Sequence, residues 1–232
     1  MAKKKPLITY VMPVYNEEVD IVESINSLLA QKGKKEIIVI DDGSTDHTGE
    51  LLETFGKKIK VVTHKERLGA AKSRNEGNKL ATGDIIAVCD VDIYAPLRQQ
   101  AITEYFMKND DMDVFYSAAN CYNAANPEDM WAHPLLNWDF NSKCVISHPT
   151  VAYRATTAKE FPYHEDTVES DLFEFMLLDM YRADKKFGGV EEALMYKREF
   201  ARSRDKSVSN KIKLAKYKEY GIELEETEFT KK

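Results

Sequence analysis

Four short apolar segments in the first half of the chain each end in polar or acidic residues. The segments are residues 7–14, 36–40, 59–63 and 84–89, and they are rich in Val and Ile. Apolar residues at helical spacing follow the first segment over residues 21–29, and comparable patterns follow the next two. Strands that are apolar throughout and alternate with helices predict an α/β fold with a Rossmann-like, mostly parallel central sheet flanked by helices.

The second half of the chain is less regular. Residues 113–117 and 193–200 predict strands, and residues 172–183 predict a helix. Residues 118–150 are rich in Asn, Pro and aromatic residues with little periodicity, which predicts a long functional loop region. Lysine alternates with apolar residues after Ser207, which predicts a C-terminal helical tail.

Size and composition exclude several classes of protein. No linker divides the 232 residues, so a single domain over 1–232 is predicted. The net charge of −6 argues against a broad surface for nucleic acid or anionic lipid. The three cysteines have neither disulfide-framework nor zinc spacing, which favours the cytoplasm. No apolar run is long enough for a transmembrane helix, and docking at a membrane is left open.

Asp90 and Asp92 directly follow the fourth predicted strand. Ligands of parallel sheets bind beyond the carboxyl ends of the strands. Two carboxylates one residue apart can face the same side and hold Mg²⁺ or Mn²⁺, which would bridge a diphosphate. Because Asp-x-Asp is also common in surface turns, the ends of the preceding strands decide between the two interpretations.

The first strand ends in VMPVYNEE, residues 11–18. Pro13 marks the exit from the strand, because proline cannot donate a ladder hydrogen bond. Tyr15 can stack on a nucleobase, while Asn16 and Glu17 offer hydrogen-bonding groups. The alternative is that Asn16 caps the next helix and Tyr15 only packs.

The second strand ends in DDGSTD, residues 41–46. Gly43 permits a sharp turn, and residues 44–46 can cap the following helix. Helix capping leaves the two consecutive aspartates unexplained, and an aspartate can accept a hydrogen bond from a base.

In their order, VMPVYNEE, IVIDDGSTD and LGAAKSRNEGNKLATGDIIAVCDVD resemble the nucleotide-binding half of family 2 glycosyltransferases, which have the GT-A fold. The resemblance implies that residues 6–95 bind a nucleotide sugar and that residues 96–232 form the acceptor half and the helical tail. Ile93 stands where the family usually has a further Asp, so two carboxylates are expected at the metal. The resemblance implies donor-binding roles for Pro13, Tyr15, Glu17, Asp42, Lys72, Arg74 and Asp90, and metal-binding roles for Asp90 and Asp92.

Two segments of the second half are also similar to the family. They are FPYHEDT at residues 161–167 and RDKSVS at residues 204–209. The resemblance implies that Asp166 is the general base that deprotonates the acceptor, although Asp171 fits the spacing to the later strand better. Either carboxylate could instead cap the helix that follows. Arg204 would fold over the diphosphate, or lie in a solvated charged loop.

Three histidines of the second half have no spacing that indicates a metal site. His133, His148 and His164 have no paired spacing of the kind that binds metal, so we predict structural roles for them.

The resemblance implies an inverting, metal-dependent transfer of one sugar from a nucleotide diphosphate sugar to an acceptor hydroxyl. UDP-sugars are the commonest donors of the family, and the cofactor would be Mn²⁺ or Mg²⁺. A Q-x-x-R-W segment, typical of processive relatives, is absent. The alternatives are a sugar-nucleotide nucleotidyltransferase and a non-catalytic nucleotide-sugar binding module. The acceptor stays open among a glycan, a lipid-linked sugar, a protein and a modified DNA base.

Overall fold

The strands and helices of the chain are known from a computed structural model, which describes residues 4–123, 126–135, 139–199 and 207–224. The strands are β1 (Ile8–Val14), β2 (Lys35–Asp41), β3 (Lys60–Thr63), β4 (Ile85–Val88), β5 (Ile93–Tyr94), β6 (Val114–Asn123), β7 (Asn126–His133), β8 (Ala152–Arg154) and β9 (Phe187–Glu199). The helices are α1 (Ile21–Leu29), α2 (Thr48–Glu53), α3 (Ala70–Leu80), α4 (Arg98–Lys108), α5 (Ala155–Glu160), α6 (Phe173–Arg182) and α7 (Ser207–Glu219).

The first four strands form a parallel sheet in the order β3-β2-β1-β4. Both faces of this sheet are covered, because alternate residues of β4 belong to different hydrophobic clusters. Ile85 and Ala87 pack in one cluster, and Ile86 and Val88 pack in the other. The predicted α/β fold with flanking helices is therefore confirmed, and the strands end at one common edge.

The second half continues the same sheet with mixed strand directions. β8 pairs antiparallel with β4, and β6 pairs antiparallel with β8. β9 runs parallel to β6 and antiparallel to β5. The described residues thus form one nine-stranded sheet in the order β3-β2-β1-β4-β8-β6-β9-β5, with β7 paired to β6.

The prediction of a loop region over residues 118–150 was wrong at its start. β6 continues to Asn123, and β7 returns antiparallel beside it. Small residues and Asn have weak strand preference, but pairing with β7 and β9 outweighs that preference here. The hairpin brings His133 to the carboxyl-end edge of the sheet, beside the site described below.

The predicted C-terminal helix is present as α7. Its Tyr217 is 1% exposed, and the Tyr217 hydroxyl accepts a hydrogen bond from the Cys144 backbone N–H at 3.0 Å. In the part of the chain that the structure describes, no helix is long and apolar enough to cross a membrane.

Candidate functional site

The loops that follow β1 and β2 interlock at the carboxyl ends of the strands. The Asn16 backbone N–H donates to Ser44 Oγ at 3.0 Å, and Asn16 Oδ1 accepts from the Thr45 backbone N–H at 2.8 Å. Asn16 has a left-handed backbone (φ 56°), which asparagine tolerates. Asn16 therefore joins the two loops, and α1 begins without a side-chain cap.

Asp42 organises the loop that leads into α3. Its carboxylate is buried and accepts hydrogen bonds from the backbone N–H groups of Leu68 and Gly69, both at 2.8 Å. Gly69 has φ 96°, and a Cβ at this position would lie 2.8 Å from Val168 Cα. Only glycine therefore fits this backbone and the close approach of the loop before α6.

His64 lies between two carboxylates beside this loop. Its Nδ1 is 2.8 Å from Asp42 Oδ1, and its Nε2 is 2.7 Å from Glu76 Oε2. Burial lowers the pKa of His64, but the hydrogen bonds and charges of Glu76 and Asp42 outweigh burial and raise the pKa above its ordinary value. The protonated ring would thus fix the loop to both β2 and α3.

Tyr15 and Arg67 face each other across the same edge of the sheet. The Arg67 guanidinium lies 4.8 Å from the centre of the Tyr15 ring, a cation–π distance. Pro13 and Glu17 flank Tyr15 and are half-buried, whereas Lys72 on α3 is exposed. A planar base could stack on Tyr15 here.

Arg74 connects the two halves of the chain. Its buried guanidinium donates from Nε to Asp171 Oδ2 at 3.1 Å and from Nη1 to the Cys89 carbonyl at 3.1 Å, and it pairs through Nη2 with Asp90. One cation therefore holds the carboxylate that follows β4 and the carboxylate that precedes α6.

Asp90 and Asp92 form a tight turn after β4. The Asp92 backbone N–H donates to the Asp90 carbonyl at 2.9 Å, and Asp92 Oδ1 accepts from the Arg198 backbone N–H at 3.0 Å. Burial and the charge of Asp90 raise the pKa of Asp92 to about 7. Adjacent carboxylates that repel each other in a buried turn are suited to a cation.

The donor set also fits a divalent metal. Mg²⁺ is commonly held by one or two protein carboxylates together with substrate phosphates and water. Asp90 and Asp92 supply two carboxylates, and no group of three or more His, Cys, Asp or Glu suited to a metal occurs among the described residues. Two carboxylates would leave most positions around such a metal to ligands from outside the protein.

Asp171 occupies the turn that begins α6. The next residue, Leu172, is fully buried with a left-handed backbone (φ 48°), which is strained for a non-glycine residue. Burial raises the pKa of Asp171, but His148 and Arg74 outweigh burial and hold the pKa well below its usual range. Asp171 is consequently an ionised, buried carboxylate.

Asp166 lies elsewhere. Its side chain is 56% exposed and pairs with Lys216 on α7. His164 Nδ1 is 3.9 Å from its carboxylate. The structure therefore brings Asp171, and not Asp166, to Arg74 and Asp90.

A cavity of about 490 Å³ opens beside Asp90 and Asp171. Its wall comes from the turn before α6, from β7 and β9, and from the segment that precedes β8. The lining residues are Asp90, His133, Lys143, Cys144, Val145, Ile146, Ser147, His148, Pro149, Asp171, Phe173 and Lys197.

Arg98 holds the backbone of one wall of this cavity through hydrogen bonds. It is fully buried, and its Nη2 donates to the carbonyls of Val88 and Pro149, both at 2.9 Å. Its guanidinium also lies 4.5 Å from the centre of the Tyr94 ring. Arg98 therefore connects the end of β4 to the turn that contains His148.

The predicted site residues separate into three groups. Arg74 contacts Asp90 and Asp171, and Asp92 lies in the same turn as Asp90. Pro13 lies near the end of β1, and the neighbouring loops carry Tyr15, Glu17 and Asp42. Asp166 and Lys72 are exposed. Arg204 lies outside the described residues.

Sequence reasoning missed three residues of this region, His64, Arg67 and Arg98, and it predicted only a structural role for His148. Lone basic side chains have no spacing signal, because their partners are brought together only by the fold.

Known proteins match both the sequence and the fold. The sequence profile described as glycosyl transferase family 2 matches residues 9–158. An uncharacterized glycosyltransferase of Methanocaldococcus jannaschii is 29% identical over 205 residues, which cover 82% of this chain and 70% of the relative.

Two solved structures share the GT-A fold with this chain. TarS 1-349 of S. aureus in complex with UDP-GlcNAc has a TM-score of 0.65 at 21% identity, over 83% of this chain and 58% of that one. The mannosyltransferase PcManGT from Pyrobaculum calidifontis, in complex with GDP-Man and Mn²⁺, has a TM-score of 0.62 at 15% identity, over 89% of this chain and 60% of that one.

Proposed function

The chain belongs to glycosyl transferase family 2, and from this premise we propose that it moves one sugar from a UDP-sugar to an acceptor hydroxyl, with inversion at the anomeric carbon. The observation that carries the proposal is the contact of buried Arg74 with both Asp90 and Asp171. This contact joins a carboxylate at the strand edge, where ligands of such sheets bind, to a second carboxylate that faces a cavity.

The donor nucleotide would bind along the loops after β1, β2 and β3. Tyr15 offers an aromatic face, and Arg67 supplies a cation beside it. The complex of TarS with UDP-GlcNAc supports a uridine nucleotide. PcManGT was solved with GDP-Man, so the donor panel should also include guanosine nucleotides. The proposed donor-binding residues are Pro13, Tyr15, Glu17, Asp42, Lys72, Arg74, Asp90 and Arg204.

Asp90 and Asp92 would hold Mn²⁺ or Mg²⁺. The bound metal would neutralise negative charge on the departing diphosphate. Arg74 carries a permanent positive charge beside Asp90 and would attract the same phosphates. PcManGT was solved with Mn²⁺, which supports a divalent cofactor in this fold.

Asp171 is the proposed general base. Arg74 Nε and His148 Nδ1 both approach Oδ2 at 3.1 Å. Among the described residues, none donates a hydrogen bond to Oδ1. An acceptor hydroxyl in the cavity would give its proton to Oδ1 while its oxygen attacks the anomeric carbon. As the new bond forms, the carbon–oxygen bond to the diphosphate breaks on the opposite face, and its electron pair leaves with the diphosphate.

Exchange of each candidate base tests the assignment. We expect Asp171→Asn to lower kcat by about 100-fold or more, because general-base catalysis contributes that much. Asp166→Asn should leave kcat within about twofold, since exposed ion pairs contribute little. The assay is UDP release from a panel of UDP-sugars with candidate acceptors. Full activity of Asp171→Asn together with loss in Asp166→Asn would reverse the assignment.

Chelation tests the cofactor separately. Transfer should stop in the presence of chelator and return with Mn²⁺ or Mg²⁺, and Asp92→Asn should weaken metal binding measured by calorimetry. Transfer that is indifferent to both treatments would exclude the metal role.

A further inference from the structure

The His148 ring is fixed on three sides beside the proposed base. Its Nδ1 lies 3.1 Å from Asp171 Oδ2, and its Nε2 lies 3.0 Å from the Tyr163 hydroxyl. Phe173 stacks on the ring with centres 4.1 Å apart and planes 5° from parallel. His148 is 6% exposed, so this geometry leaves it little freedom to rotate.

A row of buried polar contacts runs from Asn78 through Tyr153, Tyr163 and His148 to Asp171. Asp171 is ionised beside Arg74 and can only accept a hydrogen bond, so the ring tautomer with its hydrogen on Nδ1 is the one that can donate to it. Nε2 then accepts from the Tyr163 hydroxyl, which lies 3.1 Å from the Tyr153 hydroxyl. Asn78 Nδ2 donates to Tyr153 at 3.1 Å. With the hydrogen of His148 on Nδ1, each group in this row can donate toward Asp171.

The two carboxylate oxygens of Asp171 have different neighbours. His148 and Arg74 approach Oδ2, and within the described ranges no donor reaches Oδ1. Asp171 lines the cavity and keeps 15% of its side chain exposed. The oxygen without a donor is thus the one available to an acceptor hydroxyl.

We propose that His148 is a positioning residue for the transfer reaction: its Nδ1–H holds Oδ2 of Asp171 so that Oδ1 is presented to the acceptor. The inference rests on the proposed function, because it gives a partner to the proposed base. His148 itself contacts Asp171 and takes no proton from the substrate. The turn that contains it is held by the Arg98 donation to the Pro149 carbonyl, so the backbone of the positioning group is also fixed.

Three substitutions separate positioning from packing. His148→Asn places an amide N–H near the position of Nδ1, His148→Gln moves the amide toward the position of Nε2, and His148→Leu keeps only bulk. We expect His148→Gln and His148→Leu to lower kcat by about 10- to 100-fold, as loss of an orienting partner commonly does at metal ligands. His148→Asn should retain kcat within about threefold of wild type. The KM for the donor and the Kd for UDP should stay within about twofold in all three, because no described donor-side residue contacts His148.

Two further measurements keep the test independent of folding and of the reaction. Thermal unfolding of each variant identifies loss of structure, and His47→Asn, which alters a histidine exposed over 73% of its side chain, is the matched control. ¹⁵N NMR of the wild-type His148 ring should show the proton on Nδ1, and Tyr163→Phe should weaken that preference while it keeps the aromatic ring. The NMR result requires no turnover, so it distinguishes failure of this inference from failure of the proposed function.

The proposal is overturned if all three His148 variants keep wild-type kcat. It is also overturned if kcat falls equally in His148→Asn and His148→Leu, or if the substitutions change only KM or thermal stability. A proton on Nε2 of the wild-type ring would overturn it as well. The proposal is supported if His148→Asn retains kcat, the other two variants lose it, and the wild-type ring carries its proton on Nδ1.

Discussion

Replacement of Arg74 by Gln removes a buried cation that contacts both Asp90 and Asp171. Arg74 is 2% exposed, and the Asp171 side chain is 15% exposed, so this ion pair is poorly screened by solvent. A hydrogen bond to a charged group contributes about 1.5 to 3 kcal/mol, so the bonds from Arg74 to Asp171 and to the Cys89 carbonyl together contribute about 3 to 6 kcal/mol. The Asp90 side chain is 40% exposed, so solvent reduces the contribution of the Arg74–Asp90 pair to the free energy of unfolding toward zero.

We therefore expect Arg74→Gln to lower the free energy of unfolding by about 3 to 5 kcal/mol, the range for breaking a buried ion pair. The melting temperature should fall on the order of 10 °C, since a chain of this size loses roughly 2 to 4 °C per kcal/mol. Urea unfolding provides the free energy, and Lys79→Gln, an exposed change on the same helix, is the control.

A double-mutant cycle identifies the partner. Asp171→Asn removes the charge that Arg74 balances, so the Arg74→Gln and Asp171→Asn changes should couple by about 1 to 3 kcal/mol. The cycle with Asp166→Asn should show no coupling, because Asp166 pairs with Lys216. A coupling to Asp171 below about 0.5 kcal/mol, or one no larger than the coupling to Asp166, would refute the ion-pair argument.

Two further predictions concern the loop between β3 and α3. The raised pKa of folded His64 predicts that the stability it gains from Asp42 and Glu76 is fully present below the unfolded pKa of about 6.5 and is lost as the pH rises through the folded value. Urea unfolding of wild type and His64→Gln across this range should show a difference that shrinks with rising pH, and a constant difference would contradict it. Gly69→Ala should cost about 1 to 3 kcal/mol in unfolding free energy, because the new Cβ would meet Val168 and the backbone is left-handed. A loss below about 1 kcal/mol in urea unfolding would show that the loop before α6 yields to the added methyl group.

The parallel strands could be predicted from the sequence because their residues are apolar on both faces. The first strand, for example, was expected over residues 7–14 and is Ile8–Val14. The hairpin of β6 and β7 could not be predicted, because residues 118–123 have weak strand preference of their own. Their conformation depends on pairing with β9, which lies far along the sequence.

The sequence could not show which of Asp166 and Asp171 lies beside Arg74, for a different reason. Asp166 lies within the FPYHEDT segment, Asp171 follows that segment closely, and both precede α6. The backbone of Leu172 is left-handed, although leucine gives no signal for that conformation. Contacts of the buried Leu172 side chain outweigh the local preference, and the resulting turn places Asp171 beside Arg74.

Helix α3 and the glycine before it connect the second half of the chain to the loops at the carboxyl ends of the strands. Asn75 Oδ1 accepts from the Tyr163 backbone N–H at 2.8 Å, and Asn75 Nδ2 donates to the Tyr163 carbonyl at 3.0 Å. Gly69 packs against Val168, and Arg74 bonds Asp171. Three positions within one short helical segment therefore fix residues 163–171 against the half of the chain that has the dense motifs. We therefore expect a change at Gly69, Arg74 or Asn75 to alter both proposed activities, transfer to the acceptor and binding of the donor, because these positions set the geometry of both sites.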